Sequence, residues 1–268
     1  LMRVTQDWSE ESGWSLQAYY DHTYRINVNQ LEVTRNTIDL DFRHHFKLGE
    51  RNAIVWGAAV RHTSDRTVAG AAAAFDPTSR AMNTFSGFIQ DTITIVPDKL
   101  FLMAGSKFEH NDVTGFEVQP SARVWYTPDD RQTVWAGVSR PVRVPSRTDH
   151  DVIAALTYVD TGLLFGGPAS GVFVPLNLVG DDDSVSEELW AVEGGYRVRI
   201  TDRLTLDATA FYHQYDELIF APISIVGVYT NLASAETYGT TLSIQYQAAD
   251  NWRLTAAYSS PDVQIHGP

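Results

Sequence analysis

From Phe116 to Arg147 the chain reads FEVQPSARVWYTPDDRQTVWAGVSRPVRVPSR, and this stretch decides the fold. In an extended strand successive side chains point to opposite faces. Val118, Pro120, Ala122, Val124 and Tyr126 therefore share one face, and Gln119, Ser121, Arg123 and Trp125 the other. Thr127, Pro128, Asp129 and Asp130 supply turn chemistry: Pro fixes φ early in the turn and Asp bonds its own backbone. Alternation returns from Arg131 to Arg140, with Val134, Ala136 and Val138 against Thr133, Trp135, Gly137 and Ser139. Pro141 and Pro145 then end the ladder. The stretch encodes a β-hairpin followed by a long irregular connection.

The same two-residue period recurs outward in both directions. Upstream, strands are expected over Trp14–Tyr24, Thr37–Phe46, Ala53–His62, Phe85–Val96 and Leu100–His110, with Arg3–Trp8 as the tail of an earlier one. Downstream they are expected over Leu189–Ile200, Leu204–Asp216, Tyr238–Gln247 and Trp252–Tyr258. Asp91 disturbs the pattern of its strand. Asn27–Gln30 reads as a connection, and Ser64–Met82, Pro141–Glu188 and Glu217–Val228 as longer loops. Ala71–Ala74, inside the first of these loops, reads as a helical turn or as no regular structure. Ile38, Leu40, Phe42 and Phe46 oppose Thr37, Asp39, Asp41, Arg43 and His45, and a face with that many charges needs water.

Two regularities follow. Tight connections near Gly49, Pro97, Pro128, Thr201 and Ala249 alternate with longer ones. Tyr126, Tyr196, Tyr238, Tyr246, Trp252 and Tyr258 sit near strand ends, where amphipathic rings suit membrane interfaces. A transmembrane β-barrel has both features, with its tight turns in the periplasm. A soluble sandwich also alternates, but repeated charges on one face and ring-bearing strand ends favour the barrel.

Composition narrows the functional classes. A net charge of −13 disfavours nucleic-acid binding, which needs clustered cations. The chain has no Cys, which removes disulfide scaffolds and thiolate metal sites. No apolar run reaches the roughly 18 residues of a membrane-spanning helix, whereas a barrel strand needs only about 9 to 11.

The hairpin with its EVQPSAR opening and SRPVRVPSR exit resembles the barrel of TonB-dependent outer-membrane receptors, bacterial proteins that import scarce nutrients such as ferric siderophores. Further matching segments are FIQDTITIVPDKLFLMAGSKFEHND, SVSEELWAVEGGYRVRITDRLTLDATAFYHQYDELI and NLASAETYGTTLSIQYQAADNWRLTAAYS. Pro141 and Val144 depart from the small or polar residues expected in the exit. The resemblance implies an all-β, antiparallel transmembrane barrel of 22 strands, of which residues 1–268 supply about 11 or 12. It also implies a plug domain with a TonB-contacting box and an aromatic-ended last strand, neither of which is visible here, nor is an export signal at Leu1–Glu10. The expectation is a barrel segment of a longer protein in the bacterial outer membrane. An open wall leaves two unpaired edges, which lipid penalises.

Implied partners are the TonB–ExbB–ExbD complex through the plug, outer-membrane lipid and lipopolysaccharide, and a small-molecule ligand; no nucleic acid and no cofactor is expected. The expected function is active import. A smaller passive barrel of about twelve strands stays open as an alternative, as does a barrel-based enzyme, although no nucleophile, base and orienting group assemble and no G-x-S-x-G elbow occurs.

Candidate site residues are few. Arg123, Arg140, Arg143 and Arg147 cluster around the hairpin and its exit. In the family's frame Arg123 faces the lumen and the other three the extracellular mouth, where guanidinium groups meet an anionic ligand or pair with the protein's own acids. The two long loops at Ser64–Met82 and Pro141–Glu188 are the better expectation for ligand capture. Asp181, Asp182 and Asp183, followed by Glu187 and Glu188, offer oxygen ligands of the kind Ca²⁺ takes, but in no recognised loop spacing, so a solvated acidic loop is the simpler reading. His44 and His45 point to opposite faces and cannot chelate one ion together. No metal site is expected.

Overall fold

Repeated alternation builds one long antiparallel wall. A computed structural model describes residues 1–27, 31–164, 166–221 and 226–267. In chain order it runs β1 (Met2–Ser9), β2 (Ser12–Asn27), β3 (Leu31–Leu48), β4 (Asn52–Ala69), β5 (Ala73–Phe75), β6 (Ser79–Val96), β7 (Leu100–Asn111), β8 (Gly115–Tyr126), β9 (Gln132–Ser139), β10 (Val142–Arg143), α1 (Arg147–Asp151), β11 (Val152–Asp160) and α2 (Thr161–Leu164). It continues with β12 (Phe173–Val179), β13 (Glu187–Thr201), β14 (Leu204–Phe220), β15 (Val226–Val228), β16 (Thr230–Ala249) and β17 (Trp252–His266). The wall has the order β1-β2-β3-β4-β6-β7-β8-β9-β13-β14-β16-β17, with β10 paired to β13. The expected eleven or twelve strands are present, and β1 is the predicted early one.

The wall is inside out relative to a water-soluble sheet. On β8 and β9 the exposed side chains are, Arg123 apart, the apolar ones, among them Val118 at 37%, Tyr126 at 44% and Val134 at 46%, while Gln119, Ser121 and Trp125 on the opposite face are partly covered. Among the described residues the buried apolar side chains are only Val152, Ala191, Ala233 and Ala235. A sandwich would bury a continuous apolar layer between two sheets, so the single-layered wall decides against it.

Ring positions fit a bilayer. Tyr246 opposite Leu204 and Tyr238 opposite Tyr212 bracket Thr240, Leu242 and Ile244 on the outward face. Eight residues rise about 27 Å along a strand, or about 20 Å along the membrane normal at a tilt near 40°, close to the apolar belt of about 25 Å that such barrels carry. Strands of 18 residues in β3, β4 and β6, and of 20 in β16, exceed what the membrane requires and project beyond it.

Three loop expectations need correction. Ser64–Met82 is not all loop, because β4 continues to Ala69 and β6 begins at Ser79. Beyond the membrane both faces are wet, so alternation fades although the ladder Thr63↔Met82 to Arg66↔Ser79 persists. Ala71–Ala74 is not helical: Ala73 and Ala74 belong to β5, which pairs with β11. Glu217 to Phe220 extends β14, and 222–225 lie outside the described residues, as do 28–30 of the predicted Asn27–Gln30 connection. The long segment from Pro141 to Glu188 carries β10, α1, β11, α2 and β12. Together β15, β12, β11 and β5 form a second sheet, drawn from three different connections on the rim opposite the tight turns.

Candidate ligand-facing site

The polar face of the wall is concave. Between β1 and β7 it encloses about 540 Å³ lined by charges of both signs, including Asp39, Asp41, Arg43, Arg61, Lys107 and Glu109. Gly57 keeps this floor low: a Cβ there would stand 2.6 Å from Phe88 and 2.5 Å from the Phe42 carbonyl oxygen. Arg61 Nε donates to Asp39 at 2.8 Å, so the face is internally balanced rather than of one sign.

Further along the wall, Arg123 of β8 lies over the Trp135 ring at 4.7 Å and within 3.9 Å of Glu193. Glu193 also meets His213 Nε2 at 3.2 Å. Gly195 makes room for the indole, since a Cβ there would come within 2.5 Å of Trp135 Nε1. Arg123 keeps 48% of its side chain exposed.

The other three predicted arginines each pair with acids of their own chain. Arg140 forks onto Glu188 and donates to the Val118 carbonyl at 2.7 Å. Arg143 bonds Glu187 and reaches Asp149 at 3.2 Å while staying 51% exposed. The Glu187 hydrogen bond raises the Arg143 pKa above its usual value. Burial works against the charged form of Glu187, but hydrogen bonds from Arg143 and from the Ile219 N–H outweigh it and hold the carboxyl below its ordinary value. Arg147 is buried, with a side chain 4% exposed between Asp65 at 1% and Asp151 at 2%. Its Nε lies 3.3 Å from Asp151, it donates to the Pro77 carbonyl, and its guanidinium covers the Phe75 ring at 5.0 Å. Arg35 and Arg80 supply the outer partners, at 3.5 Å from Asp65 and 3.3 Å from Asp151.

Local sequence explains how Arg147 is delivered. Ser146 caps α1: its hydroxyl accepts the Asp149 N–H at 3.3 Å and its own N–H reaches Asp149 Oδ2 at 2.8 Å. That S-x-x-D signal is legible in the sequence. Asp65, Asp151, Arg35 and Arg80 are not legible in the same way, because apart from Arg147 with Asp151 the pairs lie up to 82 positions apart, Arg147 to Asp65, and no period links them.

The loop sheet is closed at its far end by Asp160, which accepts N–H groups from Gly162 at 2.8 Å, Ser170 at 2.7 Å and Gly171 at 2.6 Å. These bonds, that of Ser170 foremost, lower its pKa to about 2. Leu156, Tyr158 and Phe173 on this sheet stay more than 60% exposed, giving the mouth an apolar and aromatic surface.

The acidic group divides. Glu187 and Glu188 are engaged by Arg143 and Arg140, whereas the carboxylates of Asp181, Asp182 and Asp183 lie within 4.8 Å of one another, with Asp182 and Asp183 exposed. His44 and His45 are on opposite faces as expected: His44 Nδ1 accepts from Trp56 on the outward face, and His45 lies beside Gly13 on the other.

No curated protein sequence matches the chain. Among solved structures, a ferric enterobactin receptor from Pseudomonas aeruginosa superposes with a TM-score of 0.71 at 18% identity, covering 96% of this chain and 43% of the other. The siderophore receptor PirA from Acinetobacter baumannii gives 0.71 at 16% identity, over 96% and 43%. The FrpB iron transporter from Neisseria meningitidis gives 0.69 at 14%, over 94% and 41%. The chain thus spans less than half the length of these structures. Residues 2–264 match the family described as TonB dependent receptor-like, beta-barrel. With a one-layered wall, an apolar outward face and a family match over nearly its whole length, the chain belongs to the TonB-dependent receptor β-barrel family of the bacterial outer membrane.

Proposed function

We propose that this chain is the wall segment of an active-transport receptor that binds a ferric siderophore or similar scarce nutrient and imports it with energy passed through TonB, ExbB and ExbD. The plug, its TonB box and the remaining strands of a 22-stranded barrel would come from the rest of the protein. The observation that carries the reading is the loop sheet, drawn from three connections and fixed by buried ion pairs on the extracellular rim of a family barrel. A rigid mouth above a polar lumen suits capture followed by passage. Within it we assign Arg123 and Arg143, half exposed, as groups that meet an anionic ligand, and Arg140 and Arg147 as loop anchors.

The passive alternative requires closure, and β1 and β17 each pair with one neighbour and not with each other among the described residues. The test is growth of an iron-limited strain lacking the full-length gene on ferric catecholates, ferric hydroxamates, ferric citrate and cobalamin. Loss on one source, restored by the intact gene and abolished again without TonB, is expected. Uptake at limiting ligand should fall in Arg123→Gln and Arg143→Gln receptors present at normal levels. Unchanged growth on every source, or uptake that persists without TonB, sinks the proposal.

A further inference from the structure

The outward face carries a feature that transport does not use. Near the tight-turn rim, Trp8, Trp14, Leu16, Phe42 and His44 enclose a groove of about 310 Å³. Trp14 and Phe42 stack with centroids 6.2 Å apart, and Phe42 meets Trp56 edge-on at 5.5 Å. The register shift between Asp7 and Ser9 leaves Trp8 without a ladder partner, and its ring stands edge-on to His44 at 5.7 Å. Trp8, on the wall's edge strand, forms one side of the groove.

His44 lines the groove with both ring nitrogens covered. An indole N–H can only donate, so the 3.0 Å contact from Trp56 Nε1 makes His44 Nδ1 the acceptor. In the neutral imidazole the proton then sits on Nε2, which is buried without a hydrogen-bond partner among the described residues.

We propose that this groove seats one phospholipid of the periplasmic leaflet, with an acyl chain between Trp8 and Trp14 over Leu16 and Phe42. The head group lies toward the tight-turn rim, where Arg51 is exposed in the turn between β3 and β4. Lipid is the occupant because the groove is continuous with the outward apolar band that family membership places in the bilayer. Its walls are two separate indoles with a slot between them, a shape that takes a chain rather than the flat face of a second barrel. The depth agrees as well: tight turns mark the periplasmic rim, and aromatic rings gather at that interface.

Native mass spectrometry of the full-length receptor, titrated with dioleoyl-phosphatidylethanolamine in detergent, tests this. One saturable lipid is expected on the unaltered receptor. Trp8→Ala opens one wall and Leu16→Trp fills the slot without removing a ring; each should weaken that lipid's retention at least threefold, and Arg51→Gln should weaken it measurably. Tyr212→Ala, at the opposite interface, should leave it unchanged. Equal retention in all variants, or an equal loss in the Tyr212→Ala control, overturns the assignment and leaves only a non-specific lipid annulus.

Discussion

Replacing Arg147 by Met removes the cation that joins two carboxylates exposed by only 1% and 2%. Breaking a buried pair by deleting one partner costs about 3–5 kcal/mol, mainly from the charge left behind. Here Asp65 keeps Arg35 at 3.5 Å and Asp151 keeps Arg80 at 3.3 Å, so part of that cost is offset and about 2–4 kcal/mol is expected. The loss should be local, because the network ties a loop to the wall and the ladders of β8 and β9 do not depend on it. Hydrogen exchange on the full-length receptor reads it directly through three amides: Asp76 N–H to the Asp151 carbonyl at 3.0 Å, His150 N–H to Ser146 at 3.2 Å, and Ala155 N–H to Ala72 at 2.8 Å. Their protection should fall by roughly 30- to 1000-fold, since each 1.4 kcal/mol is tenfold, while β8 and β9 amides keep theirs. Adding Asp65→Asn should restore part of the loss, as a double-mutant cycle of contacting residues requires. Unchanged loop protection in Arg147→Met, or an equal loss throughout the wall, would refute the anchoring role.

Two further outcomes are expected. The turn around Asp160 should depend on pH: with a folded pKa lowered to about 2, its stabilisation is fully present above the unfolded value near 4 and is lost as pH falls toward 2. Proteolytic cutting of the Asp160–Gly171 segment should therefore rise over that window in the native receptor, and Asp160→Asn should be cut readily at neutral pH with no such step; identical profiles would contradict the role. Leu242→Arg, in the middle of the outward band, should cost about 2–4 kcal/mol in lipid. Thr241→Arg, one residue away on the lumenal face, should cost far less, as measured by folding titrations of the full-length receptor; equal costs would mean the wall is oriented wrongly.

The sequence by itself determined the wall. The two-residue period fixes which side chains share a face, as Val118, Val124 and Tyr126 against Gln119 and Arg123 show, and an apolar face that must meet lipid cannot slip register without turning charges into it. It also set the tight turns at Gly49, Pro97 and Pro128, where Gly and Pro act locally. Strand ends above the membrane were not legible: past His62 water lies on both sides, so nothing forces β4 to alternate while its ladder continues to Ala69. The loop sheet was hidden for a different reason. β5, β11, β12 and β15 come from three distant connections, and Arg147 finds Asp65 only after the wall has brought β4 beneath α1. Local pattern reports what a residue must face; which acid meets which arginine depends on where the closed ladders deliver the chain, and only the tertiary structure decides that.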